Sequence, residues 1–149
     1  MKKLRFEISI NAPRKKVWEA VVNDQPYREW TSVFFPGSYF DGGWNKGDKI
    51  RFLAKNSEGQ LDGMSSEIAE SRLHEFISIR HLGVIKNGVE DTTSDEAVKW
   101  APAYENYTLS ESGGTTSFVV DIDIDDSYQD MFNEMWPKAL KKLKEISES

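Results

Sequence analysis

At 149 residues the chain has the length of a single domain with one core. It contains no cysteine, which excludes a disulfide framework, a thiolate metal site and a cysteine nucleophile. A net charge of −6 argues against nucleic acid as a main partner, and no apolar run approaches the ~20 residues of a membrane span. The basic residues after Met1 are not followed by an apolar segment, so no signal peptide is expected and the expected compartment is the cytoplasm. Aromatic residues make up 12% of the chain, five of them Trp, which suggests a core or a pocket rich in rings.

Lys3 to Asn11 alternates, with Leu4, Phe6, Ile8 and Ile10 on one face and Arg5, Glu7 and Ser9 on the other, as in a half-buried strand. Asn11-Ala12-Pro13 reads as a helix start, with Asn11 or Ala12 near the cap and Pro13 in the first turn. Val17, Trp18 and Val21 form its apolar stripe, and Pro26, Tyr27 and Trp30 follow in a second short helix. The stretch from Ser32 to Trp44 is apolar and loop-like. Its aromatic residues are either plugs of the core or the lining of a pocket.

Lys49 to Ala54 is a strand that sets Ile50 and Phe52 against Lys49, Arg51 and Leu53, and Asn56-Ser57-Glu58-Gly59 is a hairpin turn. Leu61 to Ser71 and His74 to Val84 are the next strands. Ser65, Ser66, Glu67, Arg80 and His81 leave them without a simple alternation. Lys86-Asn87-Gly88-Val89 is a turn. Thr93 to Glu96 is a capping box that predicts a short helix from Ser94 to Trp100, stopped before Pro102. Tyr104 to Ser110 is a strand, Gly113-Gly114 turns the chain, and Thr115 to Ile124 is the last strand, with Phe118, Val120, Ile122 and Ile124 on one face.

From Asp126 to Ile146, Tyr128, Met131, Phe132, Met135, Trp136, Ala139, Leu140, Leu143 and Ile146 recur at steps of three and one, the stripe of a long amphipathic helix. Asp126 is the expected N-cap, with Gln129 closing a capping box. Pro137 interrupts the stripe without shifting its phase. It either kinks one helix or starts a second. The predicted architecture is α+β: about six to seven antiparallel strands in a curved sheet wrapped around the closing helix, in one domain spanning residues 1–149, with two short helices after the first strand.

The chemistry expected from motifs is sparse. Asp121, Asp123, Asp125 and Asp126 invite a calcium loop, but Asp126 and Phe132 stand where an EF-hand needs Gly and Glu. A solvated acidic strand edge is the expected reading. His74 and His81 have no metal-ligand spacing, and no Gly-x-Ser-x-Gly elbow or phosphate loop occurs. No catalytic residue and no metal or cofactor is therefore assigned. Glu105 is different. If the strand begins before it, Glu105 points inward with Tyr107 and Leu109; if the strand begins after Asn106, it is exposed.

The order of these elements resembles the SRPBCC (START-like, helix-grip) superfamily, and within it the family named for the activator of the 90-kDa heat-shock protein ATPase. The residues that carry the resemblance are Ile8-Ser9-Ile10-Asn11-Ala12-Pro13 running into Lys16-Val17-Trp18-Glu19-Ala20, then Trp30 and Gly47-Asp48. Tyr104-Glu105-Asn106-Tyr107-Thr108-Leu109, Gly114-Thr115, and Trp136 with Ala139-Leu140-Lys141-Lys142-Leu143 complete them. The resemblance implies a cavity between sheet and closing helix, used for apolar molecules such as lipids, sterols or polyketides. It carries over no catalytic residue. The eukaryotic heat-shock activator has an additional N-terminal domain for which this sequence leaves no room, which places a chaperone-accessory role second and a cyclase- or aromatase-like enzyme third.

The candidate cavity lining is Trp30, Phe34, Phe35, Tyr39, Phe40, Trp44, His81, Trp100, Glu105, Tyr107, Met131, Met135 and Trp136. Glu105, His81 or Tyr107 would serve as polar anchor, and the loop Ser32–Trp44 and the helix Ser94–Trp100 as lids. The expected partner is a small apolar molecule. A homodimer through a sheet edge or the helix face is compatible with the sequence but not required by it.

Overall fold

A computed structural model describes residues 2–99 and 101–149. Strand β1 (Lys2–Ile10) leads into α1 (Arg14–Val22) and α2 (Asp24–Trp30), and a 3-10 turn at Thr31–Val33 follows. Then come β2 (Tyr39–Gly42), β3 (Lys49–Lys55), β4 (Leu61–Arg72), β5 (Phe76–Lys86), β6 (Val89–Asp91), α3 (Asp95–Val98), β7 (Ala103–Ser112) and β8 (Thr115–Ile124). The chain ends in α4 (Gln129–Glu148). The strands form one 8-stranded antiparallel sheet in the order β1-β8-β7-β5-β4-β3-β2, with β6 paired to the end of β5 beyond β7. This is the helix-grip arrangement, with more strands than the sequence suggests. The additional ones, β2 and β6, are short and owe their extended form to pairing with β3 and β5.

The inner face of the sheet carries Ile10, Ile50, Ile68, Ile77, Ile79, Phe118, Val120 and Ile124, all buried. Against it lie Val17, Trp18 and Val21 of α1 and Ala139, Leu140 and Leu143 of α4. Helix α4 runs unbroken through Pro137, so the two-helix alternative is set aside. The proline ring is exposed and has no N–H to offer the Asn133 carbonyl.

Several local expectations are corrected. Asp126 does not cap α4, whose N-cap position is Tyr128 without a side-chain cap bond; the capping carboxylate upstream is that of Asp125. It accepts from the Ser127 N–H and hydroxyl and holds a 3-10 turn at Asp126–Tyr128, which delays the helix to Gln129. At α1 neither Asn11 nor Ala12 caps. Pro13 occupies that position, and Glu111 accepts the Arg14 N–H at 2.8 Å, an anionic side chain at a helix N-terminus. The acidic residues of β8 are not on an edge, because β8 lies between β1 and β7. On its outer face Asp121 pairs with Arg5 at 2.7 Å and Asp123 with Lys3 at 2.7 Å, across matching registers. Leu53, expected to face solvent, is buried. It lies in the cross-strand row Leu53–Gly63–Ile85, where a Cβ on Gly63 would run into the Phe52 carbonyl of the neighbouring strand.

The missing alternation in β4 and β5 has a specific cause. Ser65 pairs with Gly83 but Ser66 pairs with His81, so Leu82 is an extra residue in β5. A bulge of this kind re-aims the side chains after it. It places both His81 and Val84 on the inner face, opposite Ser66 and Met64. A second register shift, between Ile68 and Glu70, leaves Ala69 without an opposite partner.

Candidate functional site

Between the sheet and the first turns of α4 lies a cavity of about 520 Å³. Its sheet wall is Phe52, Met64, Val84, His81, Glu105 and Tyr107, and its helix wall is Met131, Phe132, Met135 and Trp136. Trp30, Thr31, Phe34, Phe35 and Ser38 close the side formed by α2 and the turn after it. Lys55, Asn56, Asp62, Lys86 and Glu96 line its polar end, where Lys86 and Glu96 form an ion pair at 3.1 Å. Phe35 and Met131, both exposed, also line it.

Of the expected lining residues, the cavity brings together Trp30, Phe34, Phe35, His81, Glu105, Tyr107, Met131, Met135 and Trp136. Phe40 and Trp44 do not line it. They pack around Tyr27, with ring centroids 5.1 Å from Tyr27 to Phe40 and 5.3 Å from Phe40 to Trp44. Tyr39 also stands apart, with the Arg28 guanidinium 5.1 Å from its ring centre. Trp100 lies outside the described residues. The loop expected over Ser32–Trp44 is divided: its first part lines the cavity, and its last part is β2, fixed to β3. The remaining histidine, His74, sits in the β4–β5 turn at positive φ with its ring edge-on to Trp18 at 6.0 Å, away from the cavity.

A chain of polar groups runs through the sheet wall. Because β7 starts at Ala103, Glu105 faces inward with Tyr107. Its Oε1 stands 3.2 Å from His81 Nε2, and its Oε2 accepts the Tyr107 hydroxyl. On the far side of the imidazole, Nδ1 is 2.7 Å from the Ser66 hydroxyl. A carboxylate offers no hydrogen, so Nε2 carries the proton; in the neutral ring Nδ1 then accepts from Ser66. Ser66 is 1% exposed and not part of the cavity surface, so its hydroxyl orients the imidazole rather than meeting a ligand. Burial, then the nearby Glu105 charge and the hydrogen bond donated to it, push the Tyr107 phenol well above its usual range. Tyr27 is raised too, first by burial and then by Glu105.

The sequence reading missed Tyr27, Thr31, Ser38, Phe52, Met64, Val84 and Phe132 on the cavity wall, and Ser66 behind it. Tyr27 had a signal, since it precedes Trp30 by one helical turn on the same face. Ser66 had none. Its role arises from a register across a bulge.

The chain matches the family described as Activator of Hsp90 ATPase homolog 1-like protein over residues 11–148. The chain belongs to that family. Its fold recurs in the solution structure of the Aha1 dimer from Colwellia psychrerythraea, at 15% identity and a TM-score of 0.72 over 99% of this chain and 97% of that one. A protein of Chromobacterium violaceum matches at 19% identity and a TM-score of 0.70 over 99% and 97%. DynU16, from the dynemicin biosynthetic locus, matches at 18% identity and a TM-score of 0.66 over 97% of this chain and 46% of that one. Identities this low speak to the fold alone. No curated protein matches by sequence. Among the described residues no helix is long and apolar enough to cross a membrane.

Proposed function

We propose that this protein binds a small, largely apolar molecule in the cavity between the sheet and α4, with Glu105, His81 and Tyr107 as its polar anchor. The observation that carries this reading is the cavity itself. Its volume of about 520 Å³ falls in the range of small-molecule sites, and apolar side chains with a few convergent polar groups are their usual lining. The cavity opens to solvent beside the exposed Phe35 and Met131, so its apolar wall meets water unless a ligand covers it. Met131 and Met135 are adaptable wall residues that suit ligands of varied shape.

The Ser66–His81–Glu105 sequence of hydrogen bonds does not favour a hydrolase, because Ser66 is closed off from the cavity. Self-association has one support, the dimeric state named for the Colwellia relative, and light scattering of the purified chain tests it. The binding reading is tested by native mass spectrometry of protein purified without detergent. A small-molecule mass that is lost on denaturation supports it. Protein that carries no such mass, and takes up no apolar probe added afterwards, overturns it.

A further inference from the structure

The hydrogen-bond directions at Glu105 say more about the ligand than the cavity's size does. Each carboxylate oxygen already accepts one bond, from His81 Nε2 at 3.2 Å and from the Tyr107 hydroxyl. A carboxylate oxygen has two lone-pair sites, so among the described residues each retains one for a further donor. The Glu105 side chain keeps 15% exposure and lines the cavity, so that free side is open to an occupant. Neither neighbour offers its polar hydrogen to the cavity, because both are committed to Glu105. His81 is held in that role from behind by Ser66 at 2.7 Å, and Tyr107 keeps its proton because burial beside a negative charge disfavours the phenolate. Glu105 itself therefore accepts and does not donate, whereas the cavity-wall donors without a partner among the described residues, the Trp30 and Trp136 indole N–H groups, belong to other parts of the lining.

We infer that Glu105 makes the cavity prefer apolar molecules that carry a hydroxyl or amine hydrogen to place on it over the same skeletons that end, at that position, in an ether, an ester or a carboxylate. This rests on the reading of the cavity as a ligand site. An apolar or acceptor-only end set against Glu105 would strip water from a charged group and return no hydrogen bond, and an anionic end would add repulsion. A donor placed there gains a charge-assisted bond in apolar surroundings. Sites built to hydrogen-bond a ligand group discriminate strongly against analogues that lack it.

Three probes on one skeleton test this: 2-naphthol, which donates, 2-methoxynaphthalene, which only accepts, and 2-naphthoate, which is anionic. Their affinities for the full chain at neutral pH are measured by calorimetry, with tryptophan quenching as a second readout. Naphthol is expected to bind at least about ten-fold more tightly than either of the others. In Glu105→Gln, whose amide both donates and accepts, the naphthol preference over the methyl ether should fall to within about three-fold. Tyr107→Phe leaves the carboxylate in place and frees another lone pair, so it should keep the preference and serves as the second variant if Glu105→Gln folds poorly. Equal binding of naphthol and either competitor, or a preference that survives intact in folded Glu105→Gln, overturns the donor rule while the cavity reading stands. Failure of all three to bind overturns the cavity reading, and this inference with it.

Discussion

The two halves of α4 use the same apolar stripe for different ends. Beyond Pro137, Ala139, Leu140 and Leu143 are buried against the core that β1 and α1 also share. Before it, Met131, Phe132 and Met135 line the cavity, and Met131 is exposed. Trp136 sits at the junction. Its ring centroid lies 5.0 Å from Phe34, 6.1 Å from Phe6 and Trp30, and 6.2 Å from Tyr107, so it touches core and cavity alike. A periodic stripe thus identifies a helix face that faces the protein, but not whether protein atoms fill the space opposite. Buried length alone is a poor guide to what holds the fold.

The sharpest way to break this comparison is to truncate one residue in each half. Leu140→Ala removes a side chain that is 1% exposed and should cost about 2–5 kcal/mol, read as a fall in the urea midpoint at unchanged slope. Met135→Ala, on the cavity side, should cost about 1 kcal/mol or less, because its side chain is only partly buried and gives up less packing. It should instead alter the affinity for apolar probes. Similar losses from the two would mean that the N-terminal half is packed as tightly as the C-terminal half.

The next effect comes from the cavity wall and depends on pH. Tyr107 and Tyr27 are both raised in the folded protein, so between the usual tyrosine value near 10 and their folded values only the unfolded chain gives up these protons. The unfolded state then binds fewer protons, so stability falls as pH rises. Their contribution is fully present below about pH 10 and is lost above it, at up to about 1.4 kcal/mol per pH unit for each group. Urea midpoints from pH 8 to 11 should fall less steeply in Tyr107→Phe than in the wild type. Parallel curves would show that this phenol ionises as freely in the fold as in the unfolded chain.

How much of this could be read from sequence divides along similar lines. β8 is found from Thr115 to Ile124 as expected, because it alternates and is covered on one face only. The buried half of α4 was legible for the same reason: its period is that of the helix. β2 was not, since Tyr39-Phe40-Asp41-Gly42 has no period of its own and takes its shape from β3. The polar chain was half legible. Glu105 follows Tyr107 by the period of two once the strand starts at Ala103, but the sequence leaves that start open. The inward aim of His81 and its bond to Ser66 depend on the extra residue Leu82, a feature of pairing between strands that no single strand's pattern contains. Sites assembled by register are the ones a residue pattern hides.

Pro137 offers the smallest and most discriminating test. It stands exposed where the packed half of α4 meets the half over the cavity, so replacing it opens no hole in the core. Pro137→Ala restores an N–H that can reach the Asn133 carbonyl and removes the ring's conflict with it. In an isolated helix interior that exchange is worth about 3 kcal/mol. In this fold the neighbouring turns have settled around the proline and an alanine recovers only part of it, so a gain of about 1 kcal/mol is expected in the urea midpoint. If the proline also sets how far Met131 and Met135 stand from the sheet, a straighter helix would narrow the cavity, and probe affinity should drop several-fold as stability rises. A stability gain with unchanged affinity would make the two halves independent, and the proline a tolerated irregularity. Opposite changes in stability and affinity would make it the residue that holds the cavity open.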